Sequence, residues 1–166
     1  MQSDFLTFIR TLAQSGLEFV IVGGVASSLH GGSRLTHDID IVPSLDPVAW
    51  RRAVDVIWAA GGRPRIPESQ EAIGDVANVR VWMRDKGMLA LSFRSPDGTV
   101  EIDLHVAESH RLKELQRNAV TVDLDGIRYY VASLDDLIDM KRRAGRPQDL
   151  LDIAELERLR ERRRTK

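Results

Sequence analysis

Cysteine is absent from this chain of 166 residues, which excludes disulfides, thiolate metal sites and cysteine nucleophiles. Long apolar runs are also missing: no segment approaches the roughly 20 residues needed to cross a bilayer. The start, Met1-Gln2-Ser3-Asp4-Phe5, lacks the basic opening and apolar stretch of a signal peptide. The expected location is therefore the cytoplasm, with no membrane partner. Net charge is close to nil, at −1, which removes any overall pull toward nucleic acid while leaving local patches open. What is present is 43% hydrophobic and 30% charged, the profile of a globular chain able to bury a core. The length suits one compact unit, read as a core over residues 1–132 with a helical segment, 133–166, packed on it.

Periodicity and turn residues divide the chain. Ser3 is placed to cap a helix bearing Phe5, Phe8, Ile9 and Leu12, which Gly16 stops. Residues 18–22 read as a buried strand, 25–29 as a short helix and 38–42 as a second strand closed by Pro43. Asp46-Pro47 opens a helix that runs to Gly61-Gly62. The polar, proline-bearing stretch 63–74 is expected to be a mobile loop, followed by a helix over 75–86. Strands over 88–93 and 99–106 join at Pro96-Asp97-Gly98; a helix over 108–117 and a hairpin, 120–124 with 127–131, follow. Two helices close the chain, one opened by Ser133 and ended at Gly145, the other starting after Pro147. The expected fold class is α/β, a mixed sheet flanked by helices with a C-terminal helical pair.

The chemistry concentrates in the run from Gly23-Gly24 to Asp38-Ile39-Asp40. Alternate residues of a strand point the same way, so Asp38 and Asp40 share one face while Ile39 and Ile41 take the other. Two like charges on one strand face repel, and a divalent cation with a nucleotide's phosphates is the natural group to sit between them. Gly-Gly after a strand and before a helix lets backbone N–H groups approach a phosphate, and Ser27 or Ser28 can add a hydroxyl. No Gly-Lys-Ser/Thr follows, so this is not a P-loop, nor is it the G-x-G-x-x-G fingerprint.

Downstream, Val100 to Val106 alternates strictly, gathering Glu101, Asp103 and His105 on one face. On its own the pattern equally describes the solvent side of an amphipathic strand. Beside Asp38 and Asp40, Asp103 reads as a third metal-binding carboxylate, Glu101 as a supporting or solvated residue and His105 as structural. Hard divalent cations want such oxygen ligands. His37-Asp38 invites comparison with histidine–aspartate phosphohydrolases, but the further histidines at helical spacing are missing; a nucleophilic phosphatase aspartate fits no better.

Strand, Gly-Gly, Asp-x-Asp and a distant carboxylate strand together resemble the DNA polymerase β-type nucleotidyltransferase superfamily. Within it, Gly23-Gly24-x-Ala26, Gly31 and Arg34-x-Thr36-x-Asp38-Ile39-Asp40 resemble the small bacterial AbiEii/AbiGii toxin-like proteins. Asp136 to Lys141 with Arg146-Pro147-Gln148-Asp149-Leu150-Leu151-Asp152 strengthens that likeness, which spans residues 19–159.

The resemblance implies that Asp38, Asp40 and Asp103 hold two Mg²⁺ ions, with Mn²⁺ as an alternative, and that Gly23, Gly24, Ser27 and Thr36 shape the site for a nucleoside triphosphate such as ATP. Lys141 would contact phosphate, Arg34 and Glu101 would support the site, and Asp149 would act as a base or orient a helix. Local readings stand beside two of these: Lys141 suits a helix C-terminus and Asp149 suits a helix start. The implied reaction moves a nucleoside monophosphate onto a hydroxyl of an RNA or tRNA end, a protein or a small molecule such as an antibiotic. A cognate antitoxin or toxin is an implied partner, and a non-catalytic docking module is the rival reading. The basic tail, residues 158–166, suits either RNA phosphates or a solvated helix end.

Overall fold

A computed structural model describes residues 2–33 and 36–165, with side chains from Leu6 to Thr165. The elements in chain order are α1 (Gln2–Gln14), β1 (Phe19–Val22), α2 (Gly23–Leu29), β2 (Asp38–Pro43) and α3 (Pro47–Ala59). β3 (Arg63–Pro64), α4 (Gln70–Gly74), α5 (Val76–Lys86), β4 (Leu91–Arg94) and β5 (Glu101–Leu104) follow. A 3₁₀ stretch (Val106–Arg111) leads into α6 (Leu112–Asn118), β6 (Val120–Leu124), β7 (Ile127–Val131), α7 (Leu134–Ala144) and α8 (Pro147–Arg164). The cap expected at Ser3 and the contribution of Phe5 lie outside the described side chains, and Arg34 lies outside the described residues. Among the described residues no helix is long and apolar enough to cross a membrane.

Seven strands form one mixed sheet in the order β3-β4-β5-β2-β1-β7-β6. β1 runs antiparallel to β2 and parallel to β7, while β2 runs parallel to β5. Two antiparallel hairpins, β4–β5 and β6–β7, complete the sheet. At one edge lies β3, only two residues long and ending in Pro64, which cannot donate to another strand; such an edge resists pairing with a second chain.

Period-two alternation decides which side of the sheet is dry. Ile39, Ile41, Ile102, Leu104 and Phe93 are fully buried in one core, while their strand neighbours Asp38, Asp40, Glu101, Asp103 and Ser92 face the other way. Burying each of those apolar side chains stabilises the fold by about 1.5–3 kcal/mol relative to exposure. α3 adds Trp50, Val54 and Ile57 to that core. Its start is local chemistry: Asp46 accepts from the Ala49 N–H at 2.9 Å, with Pro47 at the first helical position.

Residues 63–74 depart from the expected mobile loop. Arg63–Pro64 pairs with β4, and Ser69 caps α4 by accepting from the Ala72 N–H. The reason is long-range: Ile73 is fully buried, and its carbonyl receives the indole N–H of the equally buried Trp50 at 2.8 Å. One apolar anchor thus orders a stretch that is otherwise polar. The helix expected over 108–117 is also divided, with a 3₁₀ stretch preceding α6.

Candidate functional site

β1 is wholly buried, and α2 begins at once on Gly23 rather than at the expected Val25. Val22 lies across from Asp40, so the turn into α2 passes directly beside that carboxylate. Gly23 has a positive φ of 65°, and a Cβ there would meet Asp40 Oδ2 at 2.2 Å. A Cβ on Gly24 would meet the Thr36 methyl at 2.9 Å. Both glycines are thus required by close approach. Ser27 Oγ donates back to the Gly23 carbonyl at 3.1 Å, and Thr36 Oγ1 accepts from the Asp38 N–H at 3.2 Å.

Parallel pairing of β2 with β5 sets Asp40 opposite Asp103 and Asp38 opposite Glu101. Four acids from two strands therefore share one side of the sheet. Asp40 Oδ1 lies 2.8 Å from His105 Nε2, and Asp103 Oδ1 accepts from the Ser92 hydroxyl. The second oxygen of each aspartate and the whole Asp38 carboxylate accept no hydrogen bond among the described residues. Burial pushes the Asp103 carboxyl above its ordinary value; the Ser92 hydroxyl opposes this, while the charges of Asp40 and Glu101 add to it. For His105, burial disfavours the charged form, yet the hydrogen bond and charge of Asp40, with Asp103 and Glu108 behind, raise its pKa overall. Sequence reasoning placed His105 on this face but gave it no partner; its contact with Asp40 is a product of strand pairing.

Glu101 is held by Arg65 Nη1 at 2.8 Å and Arg94 Nη2 at 3.4 Å. These three residues do not line the cleft that holds Asp38, Asp40 and Asp103; α7 packs on α2 and α8 packs on α7, bringing Lys141 to that cleft from the other direction. Lys141 Nζ sits 2.7 Å from Asp152 and 3.4 Å from Asp149. Asp149 is only 1% exposed and accepts from the Arg146 backbone N–H and guanidinium, so its carboxylate ties down the residue that starts α8. The Arg146 hydrogen bond holds the Asp149 carboxyl below its usual range against the opposing effect of burial. Arg146 and Asp152 also line the cleft, beyond the residues to which the resemblance assigns a role.

The cleft has a volume of about 690 Å³, within the range of small-molecule sites, and Gly23, Gly24, Asp38, Asp40, Asp103 and Lys141 all line it. A second cavity of about 560 Å³ borders Phe19, at the start of β1; its one lining carboxylate, Glu18, pairs with Lys113. Among the described residues no three His, Cys, Asp or Glu side chains are already gathered to hold a metal ion. The donor set nevertheless suits a hard cation. Mg²⁺ is ordinarily held by one or two carboxylates plus substrate phosphates and water, not by an all-protein cage, and Asp38, Asp40 and Asp103 offer unengaged oxygens on one open face.

No protein-family model matches the sequence, and no curated protein matches it. Solved structures do match. One is an antigenic nucleotidyltransferase-like protein from Paracoccidioides brasiliensis, 18% identical, with a TM-score of 0.54 over 93% of this chain and 76% of the other. Another is the antibiotic-resistance factor ANT(2'')-Ia, 15% identical, with a TM-score of 0.54 over 99% of this chain and 94% of the other. The mixed seven-stranded sheet with its flanking helices is the fold of nucleotidyltransferase-like proteins.

Proposed function

We propose that this chain is a Mg²⁺-dependent nucleotidyltransferase, transferring a nucleoside monophosphate from a nucleoside triphosphate to an acceptor hydroxyl with release of pyrophosphate. One observation carries the reading: β2–β5 register sets Asp40 against Asp103 on an open face, immediately beside the Gly23 turn. Asp38, Asp40 and Asp103 are the residues that would hold the metal. When bound, Mg²⁺ supplies charge neutralisation for the phosphates and a lower pKa for the attacking hydroxyl. Gly23, Gly24, Ser27, Thr36 and Lys141 border the cleft where the triphosphate would lie.

In the transfer, the acceptor oxygen bonds to the α-phosphorus as the bond from that phosphorus to its bridging oxygen breaks. Pyrophosphate leaves with the electron pair, and the hydroxyl proton passes toward Asp103. Asp103 lies opposite Asp40 on the same sheet face, where it can take part in activating that hydroxyl. Positioning and charge neutralisation supply most of the acceleration in such displacements. The carboxylate pattern together with Lys141, Asp149 and Asp152 also supports the likeness to AbiEii-type toxins and, with it, a cognate antitoxin or toxin partner. A small-molecule acceptor is a second reading, favoured by the fold shared with an antibiotic-resistance factor.

The test is incubation with each α-labelled nucleoside triphosphate, Mg²⁺ and total cellular RNA or protein. Labelling by the wild type and none by Asp38→Asn/Asp40→Asn or Asp103→Asn, each still folded by circular dichroism, is expected. Undiminished labelling by the double variant would sink the assignment, and absence of Mg²⁺-dependent triphosphate binding by calorimetry would leave a docking module.

A further inference from the structure

The carboxylate face of the sheet is polarised across the strands. Gly23 and Gly24 follow β1, and Lys141 belongs to α7, which follows β7; both strands lie on one side of β2. On the other side come β5, β4 and β3. Register aligns Arg94 with Glu101, and Glu101 in turn with Asp38, so Arg94 stands two strands, about 10 Å, from Asp38 on the same face. Arg65 follows β3; its N–H binds the Ser92 carbonyl and its guanidinium reaches Glu101.

These two arginines differ from their neighbour Arg63. Arg63 is consumed locally, donating to the Trp58 and Gly62 carbonyls and lying 4.8 Å over the Trp58 ring. Arg65 and Arg94 instead share one carboxylate, Glu101, leaving one positive charge in excess, and their side chains are 56% and 50% exposed. Each guanidinium has five N–H donors, and among the described residues each spends its side-chain hydrogen bonds on Glu101 alone. A planar fork with free donors is suited to a phosphate group. Arg65 also feels the charge of Asp103, and both guanidinium groups stand on the side away from the glycine turn.

We propose that Arg65 and Arg94, poised on Glu101, bind a phosphate group of the acceptor, so that the hydroxyl delivered to Asp103 belongs to a phosphate ester. The inference rests on the nucleotidyl-transfer reading, which makes the glycine side the donor half and the β5–β4–β3 side the acceptor half. Glu101 acts as a place-holder, keeping both guanidinium groups oriented and yielding part of its contact when phosphate arrives.

Binding of a fluorescent single-stranded RNA octamer, by anisotropy, and of ribose 5-phosphate and ribose, by NMR shift perturbation, tests the site with the full chain. Arg65→Gln/Arg94→Gln is expected to weaken octamer binding about tenfold and to flatten its salt dependence by about 0.7 per lost contact. Glu101→Gln, by freeing both arginines, is expected to tighten it, and to give no such gain when combined with Arg65→Gln/Arg94→Gln; an equal gain in that combination would show that the charge of Glu101, not the arginines, sets the effect. An octamer bound more tightly than ribose 5-phosphate assigns the site to a strand end; equal affinities assign it to a small phosphorylated acceptor. Wild-type affinity in Arg65→Gln/Arg94→Gln overturns the proposal, as does a loss confined to Lys141→Gln or to Arg162→Gln/Arg163→Gln/Arg164→Gln, or ribose binding as well as its phosphate. Failure of the transfer reading is separately visible, as loss of Mg²⁺-dependent triphosphate binding in the unmodified chain.

Discussion

A methyl group at Gly23 would stand 2.2 Å from Oδ2 of Asp40, so the glycine and the aspartate occupy one space that only hydrogen on the glycine leaves open. With φ at +65°, Gly23 also sits in backbone territory that costs an alanine about 1–2 kcal/mol. Gly23→Ala is expected to fold with lower stability, measured by urea denaturation. Displacing the Asp40 carboxylate by even about 1 Å is expected to slow nucleotide transfer roughly a hundredfold. An alanine variant with wild-type transfer would show that Asp40 need not stay where the turn holds it.

His105 anchors the other oxygen of the same carboxylate, at 2.8 Å. Groups that orient a metal-binding carboxylate typically change metal affinity about 10–100-fold when removed. His105→Ala is therefore expected to weaken Mn²⁺ binding about tenfold, read as free Mn²⁺ by electron paramagnetic resonance. His105→Asn, which can still donate to Asp40, is expected to recover part of it. Equal affinities in all three proteins would leave His105 as a packing residue.

Lys141 lies between Asp149 and Asp152 with little exposure of its own. Lys141→Gln removes a cation from the nearly buried Asp149, and a loss of about 2 kcal/mol in unfolding free energy is expected. Lys141→Arg, keeping the charge, is expected to restore most of that stability. If Lys141 also meets phosphate, ATP binding by calorimetry falls more than tenfold in the glutamine variant; unchanged binding would confine Lys141 to joining α7 and α8.

The turn that brings Asp103 back along the sheet carries an acid-sensitive group. Asp97 accepts from the Ser95 hydroxyl and from the backbone and hydroxyl of Thr99, and these hydrogen bonds pull its pKa from the ordinary 3.8 down to about 2. A folded value below the unfolded one means that Asp97 stabilises the fold above about pH 3.8 and loses that contribution as pH falls through about 2. Carbonyl NMR titration is expected to show the low midpoint, and Asp97→Asn to flatten the thermal stability profile between those values. A midpoint near 3.8 would show that the turn bonds do not hold in solution.

Much of the local architecture was legible residue by residue. Asp46-Pro47, Ser133 and the Asp125-Gly126 turn announced their elements because caps and turns are satisfied by atoms within a few residues. The strict alternation about Asp38-Ile39-Asp40 and Glu101-Ile102-Asp103 likewise separated acids from core, since a strand's period of two is a property of its own backbone. The order of 63–74 is not legible locally, because it comes from Trp50 reaching Ile73, two residues on separate helices.

Sequence alone thus determined which side chains share a face and where the chain must turn, because those follow from backbone geometry over a few residues. Only tertiary structure decided that β2 and β5 lie parallel with Asp40 against Asp103, that His105 takes hold of Asp40, and that Arg65, Arg94 and Lys141 approach from opposite sides. Those neighbours are drawn from distant segments. Their meeting is settled by how buried strands and helices pack together, an energy that no single segment carries.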